Sequence, residues 1–298
     1  MRQGVPTLAV FTKNRFNPAY EAARLAADMV AREAGARTLH FVPEKADNIE
    51  QQKALVGEAL KLRPDAVVFV PVDDVAMVPD LARFAAAGVP VVTCINRIEG
   101  TVVSHVGSDD VQVGRISARA LFEGLGGQGT VVQIDGPMAA PTCRDRAQGV
   151  RQTLSEFPRI QLMGVDCGMN LRPEGRQAME RLLARHAEID GVWCANDVMA
   201  YGALEALEAA RRRAKVVGVN GLSEAIDNVE KGRMLATVDF SAFKIARFAA
   251  EAAVRHLRGE RVPREIMVPT VLIDRSNVAQ WKLPMERRPC PSWKELVG

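Results

Sequence analysis

The chain is poor in the features that mark most catalytic and membrane proteins. No segment of its 298 residues reaches the ~18 uninterrupted apolar residues a membrane-spanning helix needs. Its five cysteines, Cys94, Cys143, Cys167, Cys194 and Cys290, include no pair at metal-ligand spacing. Its four histidines, His40, His105, His186 and His256, are scattered. There is no P-loop, no H-E-x-x-H and no G-x-S-x-G, so neither a nucleophile nor a general base can be nominated. Gly124, Gly126 and Gly129 satisfy G-x-G-x-x-G literally, but a helix is predicted before them and the strand Thr130 to Ile134 after them. That order is the reverse of a dinucleotide fingerprint, in which a helix N-terminus must meet the pyrophosphate. The net charge of +3 is too small and too dispersed for a nucleic-acid partner. The densest basic cluster, Arg211 to Arg213 with Lys215, follows a predicted helix, where cations suit the dipole and water. No helix-turn-helix precedes Thr7, and Met1 to Thr7 holds no basic region followed by an apolar stretch.

What is present is a regular alternation of apolar strands and helices. Thr7 to Thr12 reads as a strand, followed by a helix from Pro18 to Gly35 with Asn17 as its cap. Near-continuous Val/Ile/Leu runs recur at Ala66 to Val70, Val89 to Thr93, Thr130 to Ile134, Ile160 to Val165, Gly191 to Cys194 and Lys215 to Val219, with helices between. Such runs imply parallel sheets covered on both faces, and their two series imply two doubly wound α/β domains. The segments after Leu222 are too few for a third domain and are expected to complete the first two sheets. The Pro-rich tail from Asp274 to Gly298 is expected to lie over a lobe surface, anchored by Trp281 and Trp293.

Four polar motifs stand where predicted strands give way to loops or helices. They are Asn17-Pro18-Ala19-Tyr20, Asn96-Arg97, Arg144 to Gly149 with Arg146 inside it, and Ala195-Asn196-Asp197. In open parallel sheets, ligands bind at the carboxyl ends of the strands. Amides, guanidinium groups and one aromatic there describe a surface that holds a small molecule and supplies no activated nucleophile. Cys143 and Cys167 also fall in loops after neighbouring strands, and an oxidising compartment would allow a disulfide between them.

These motifs, in order and together with Val103 to Asp109, Ala203-Leu204 and Val216 to Gly221, resemble those of the type I periplasmic sugar-binding proteins, ribose-binding-like branch. These share a core with the ligand domains of lactose-repressor-type regulators. The resemblance implies two doubly wound parallel-sheet lobes of the periplasmic-binding-protein type I fold, joined by a three-segment hinge. It places residues 1–105 and 240–268 in the N-terminal lobe, and 106–239 with 269–298, tail included, in the C-terminal lobe. It assigns ligand binding to Asn17, Tyr20, Asn96, Arg97, Arg146, Asn170, Asn196, Asn220 and Phe240. Asn96 and Asn220 stand where many such proteins carry Asp, and Phe240 where many carry Gln. With those acids absent, Arg97 and Arg146 would face the ligand with little fixed negative charge. A carboxylate or phosphate on the ligand would neutralise them; so would Asp239 or another lobe carboxylate.

The implied function is that of a substrate-binding protein of an ABC importer, closing as a hinge on a sugar, polyol or sugar acid. Its partners would be the permease transmembrane subunits. No cofactor, metal or nucleic acid is expected, the protein would be a monomer, and the location would be periplasmic with the export signal removed. A ligand-sensing protein of the same fold, feeding a chemoreceptor or kinase, is the first alternative. A cytosolic nucleotide-sugar or NAD-type enzyme is the second, against which stand the reversed glycines and the missing base.

Overall fold

A computed structural model describes residues 5–298 of the chain; Met1 to Gly4, part of the stretch read for an export signal, lie outside the described residues. In chain order, the first run is β1 (Thr7–Phe11), α1 (Pro18–Glu33), β2 (Arg37–Phe41), α2 (Ile49–Leu62), β3 (Ala66–Phe69), α3 (Val78–Ala86), β4 (Val91–Cys94) and β5 (Ser104–Gly107). The second is α4 (Asp110–Gly124), β6 (Gln128–Asp135), α5 (Pro141–Leu154), β7 (Arg159–Cys167), α6 (Arg172–Arg185), β8 (Gly191–Cys194), α7 (Asp197–Ala209), β9 (Lys215–Val219), α8 (Ser223–Glu230) and β10 (Ala236–Val238). The chain then adds α9 (Ala242–Leu257), β11 (Glu265–Met267), β12 (Leu272–Asp274), two short 3-10 turns and α10 (Trp293–Val297).

Two compact units result. The first comprises the chain through Ser108, then Ala242–Pro269 and Met285–Gly298; the second is Asp109–Ser241 with Thr270–Pro284. Each holds one six-stranded sheet, in the order β11-β5-β4-β3-β1-β2 and β12-β10-β9-β8-β6-β7. All pairings are parallel except β10 with β12. This is the mostly parallel, doubly wound α/β architecture expected from the alternation. Central strands β1, β3 and β4 are buried at every position, whereas the edge strand β7 alternates exposed with half-buried residues and buries only Ile160. In the first unit, Phe11 stacks on Phe41 at 4.8 Å between ring centroids, and Phe69 and Phe84 pack edge-on beside them.

The C-terminal tail departs from expectation. The sequence reading put 269–298 wholly in the second lobe, but Met285–Gly298 belongs to the first unit, so the chain changes unit a fourth time after Pro284. The cause is the placing of the two tryptophans. Trp281 is fully buried in the second unit, next to an ion pair of Lys282 with Glu230 at 2.8 Å. Trp293 lies 4.6 Å from the guanidinium of Arg255 and 6.4 Å from Phe248, both on α9 of the first unit. Ser292 and Glu295 form a capping box that starts α10 at this point.

Two helix pairs in the second unit approach closely because glycines stand at their crossings. A Cβ on Gly114 of α4 would lie 2.1 Å from the carbonyl of Arg146 on α5, and one on Gly149 would lie 2.1 Å from that of Val111. In the second pair, α6 and α7, a Cβ on Gly202 would lie 2.3 Å from the carbonyl of Arg172. Gly114→Ala should therefore overpack the α4–α5 crossing and destabilise the protein by about 1–3 kcal/mol. Gly57 of α2, whose Cβ would meet only the tip of Arg83 at 3.4 Å, is the control. Gly57→Ala should stabilise by about 0.5–1 kcal/mol, the helix-propensity gain. Urea denaturation of the two variants checks both signs.

Candidate functional site

The polar residues singled out in the sequence fall on loops and helix starts that follow strand ends. In the first unit, Asn17 and Tyr20 follow β1, and Asn96 and Arg97 follow β4. In the second, Arg146 follows β6, Asn170 β7, Asn196 β8, Asn220 β9 and Phe240 β10. All therefore belong to the carboxyl-end side of their sheets, the side on which open α/β folds bind ligands. They form two clusters, one on each unit.

The first cluster is built on buried turns. Asn17 caps α1, its Oδ1 accepting from the Ala19 amide at 2.9 Å, and its own amide donates to Oδ1 of Asn14 at 2.9 Å. The cap uses the carbonyl oxygen of the side chain and leaves its Nδ2 donor out of the cap. Tyr20, half-buried, stands one turn along α1. Asn96 is buried and donates from Nδ2 to the Pro71 carbonyl at 2.9 Å. It follows Ile95, whose φ of 67° is strained for a β-branched residue. Lys13 and Asn14 were missed by the sequence reading. Lys13 is only 2% exposed, with Asp47 its ion partner at 3.7 Å, and Asn14 also reaches Asp47. A buried lysine is rare without a partner. Its signal in the sequence was a cation just past the end of an apolar strand, four residues before a helix cap.

The second cluster centres on Arg146, 5% exposed. Its Nε donates to Asp110 Oδ1 at 2.7 Å and its Nη1 to the carbonyl of Ala195 at 2.8 Å. Its guanidinium carbon lies 4.3 Å from the centroid of the Phe240 ring. Nη2 has no partner among the described residues. Asn196 caps α7 through Oδ1, which accepts from the Met199 amide at 2.9 Å, and points Nδ2 at Asn170. Asn170 and Met169 are both left-handed, at φ 59° and 51°. Asn220 is buried with φ 132°, a glycine-like backbone held by its amide's bond to the Val238 carbonyl at 2.9 Å. Strain of this kind persists where surrounding structure over-determines it, commonly at ligand sites.

Of the two readings left open for the arginines, pairing with a lobe carboxylate is the one present: Arg97 pairs with Glu265 at the start of β11, and Arg146 with Asp110. Which lobe carboxylates these are was not legible, because nothing in sequence spacing links position 97 to 265 or 146 to 110. Phe240 is 3% exposed, with its ring against Arg146. Cys143 and Cys167 are free thiols, and Cys143 Sγ lies 3.7 Å from Asn170 Nδ2.

Burial pushes Asp110 up to about 6, against the opposing pull of Arg146 at 2.7 Å. Asp135, which closes β6, is likewise pushed up to about 6 by burial, while Gln133 Nε2, donating at 2.8 Å, pulls it down. Among the described residues no group of His, Cys, Asp and Glu can hold a metal, and no helix is long and apolar enough to cross a membrane.

A family profile described as "periplasmic binding protein domain" matches residues 8–261. The chain belongs to this family. Among its periplasmic-binding relatives, the ribose import binding protein RbsB of Bacillus subtilis (strain 168) is 29% identical over 266 residues, covering 89% of this chain and 85% of that protein. A xylitol-binding protein of Mycolicibacterium smegmatis is 28% identical over 267 residues, 86% of this chain and 75% of its own length. Among solved structures, a Mycobacterium smegmatis ABC transporter solute-binding protein with bound glycerol superposes with a TM-score of 0.88 at 30% identity, covering 93% of this chain and 96% of that one. An Actinobacillus succinogenes periplasmic solute-binding protein with bound D-allose gives 0.87 at 25% identity, with 92% and 99% covered.

Asp135 supplies a test of the electrostatics. A carboxyl raised from about 3.8 to about 6 binds more protons folded than unfolded between those values, so its contribution to stability falls as pH rises through that window. Asp135→Asn has no such penalty. The variant should gain on the native protein by up to about 3 kcal/mol between pH 4 and pH 7, read as the difference in urea unfolding free energy. A constant difference across that range would refute the assignment.

Proposed function

We propose that the chain is the substrate-binding subunit of an ABC importer that takes up a small neutral polyol or sugar. The observation that carries this reading is the buried Arg146 with spare Nη2 donors and its charge already balanced by Asp110. Such a group donates to hydroxyl or ether oxygens without requiring an anion. Asn17, Asn96, Asn170, Asn196 and Asn220 are neutral amides that donate and accept, as hydroxyls do. The bare-arginine argument for an acidic ligand loses its premise once Glu265 and Asp110 are in place. The names of the relatives, which bind or import ribose, xylitol and apiose, agree with a neutral ligand. Membership of this family supports periplasmic location and a permease partner.

The test is a thermal-shift and calorimetric screen of pentoses, hexoses, polyols and matched sugar acids. A neutral ligand at 100 times its Kd should stabilise the protein by about 2.7 kcal/mol. The acids should bind more weakly than their neutral analogues. Tighter binding of an acid would reverse the assignment of charge, and no shift with any compound would remove the reading. Arg146→Lys, which leaves Asp110 a cation, should abolish binding with little loss of stability. Arg146→Ala is the poorer probe, because an orphaned buried carboxylate costs about 3–5 kcal/mol.

A further inference from the structure

We propose that Phe240 is a positioning residue for ligand recognition, acting by holding the guanidinium of Arg146 so that its Nη2 donors stay free. This rests on the reading above that Arg146 meets the ligand. Arg146 has two in-plane anchors, Nε on Asp110 Oδ1 at 2.7 Å and Nη1 on the Ala195 carbonyl at 2.8 Å. In-plane bonds alone leave the group free to rock about them. A carboxylate next to a guanidinium favours the two-pronged arrangement, in which Nε and Nη2 each donate to one oxygen. Here the pairing with Asp110 is through Nε alone. The ring of Phe240, its centroid 4.3 Å from the guanidinium carbon, packs against the group and restricts the pivoting that would bring Nη2 onto Asp110. A desolvated cation against an aromatic ring is held strongly enough to compete with one additional hydrogen bond.

The position of the ring is itself fixed. Phe240 stands two residues past β10, and its amide donates to the Val238 carbonyl at 2.8 Å. Both residues are nearly fully buried, Phe240 at 3% and Arg146 at 5%. The effect of Phe240 on specificity is indirect: it keeps a cation whose charge is balanced available as a neutral-ligand donor.

The decisive experiment compares ligand-free crystal structures of the native protein and Phe240→Leu, which keeps a large apolar side chain and loses the ring. In the variant, Arg146 Nη2 should move to within about 3 Å of Asp110 Oδ2. Affinity for the best neutral ligand of the screen should fall about tenfold or more, with a small change in melting temperature. In an Arg146→Lys background, whose ammonium has no planar fork, ligand binding is already lost and the same Phe240→Leu change should alter nothing further in the arrangement around Asp110. Arg146 unmoved in the Phe240→Leu crystal, or affinity unchanged in that variant, would overturn the proposal. Because the crystal comparison needs no ligand, it decides this inference even where the screen finds none and the functional reading fails.

Discussion

The second cluster depends on one buried ion pair, Arg146 with Asp110. Both side chains are 6% exposed and lie 2.7 Å apart. Placing a guanidinium in that position without a partner would be costly, and so would placing a carboxylate there. Together they produce a group that is cationic in geometry and neutral in balance, with donors to spare. That distinction separates a site for hydroxylated neutral molecules from a site for anions. Arg97 with Glu265 repeats the pattern in the first unit, on a more exposed surface.

The fold makes the pair possible. Asp110 is the first residue of α4, and Arg146 lies in the second turn of α5. The two helices come together through Gly114 and Gly149, and the atom that a larger residue at Gly114 would strike is the carbonyl of Arg146 itself. The sheet then supplies the remaining contacts: the carbonyl of Ala195 after β8 and the ring of Phe240 after β10. A doubly wound sheet presents its successive strand ends along one edge, so residues far apart in sequence converge there without any loop having to reach far. The same logic places Lys13, Asn14 and Asn17 in succession after β1.

Much of this was legible in the chain. Unbroken Val/Ile/Leu runs specify parallel strands because both faces are covered. Asn17 with Pro18, and Asn196 before Asp197, announce helix starts through cap chemistry, and both caps are present. The glycines Gly124, Gly126 and Gly129 read as a helix-to-strand turn, and α4 does run through that turn into β6. What the sequence did not reveal is pairing across the sheet. Asp110 and Glu265 have no periodicity or spacing that ties them to their arginines, since a salt bridge between distant segments depends on register and helix crossing. The tail escaped for a related reason: Trp281 and Trp293 were identified as anchors, but an aromatic anchor does not say which surface it anchors to. The buried Lys13 was hidden by composition, because a lysine after a strand is usually solvated.

The account stands on the Arg146–Asp110 pair remaining intact when ligand binds. The direct measurement is a crystal structure with the tightest ligand of the sugar and polyol screen. The expected result is a hydroxyl or ether oxygen about 2.7–3.2 Å from Arg146 Nη2, with Nε still on Asp110 and Phe240 still against the guanidinium. A ligand carboxylate or phosphate that displaces Asp110 from Arg146, or a bound ligand that leaves Nη2 untouched, would contradict it.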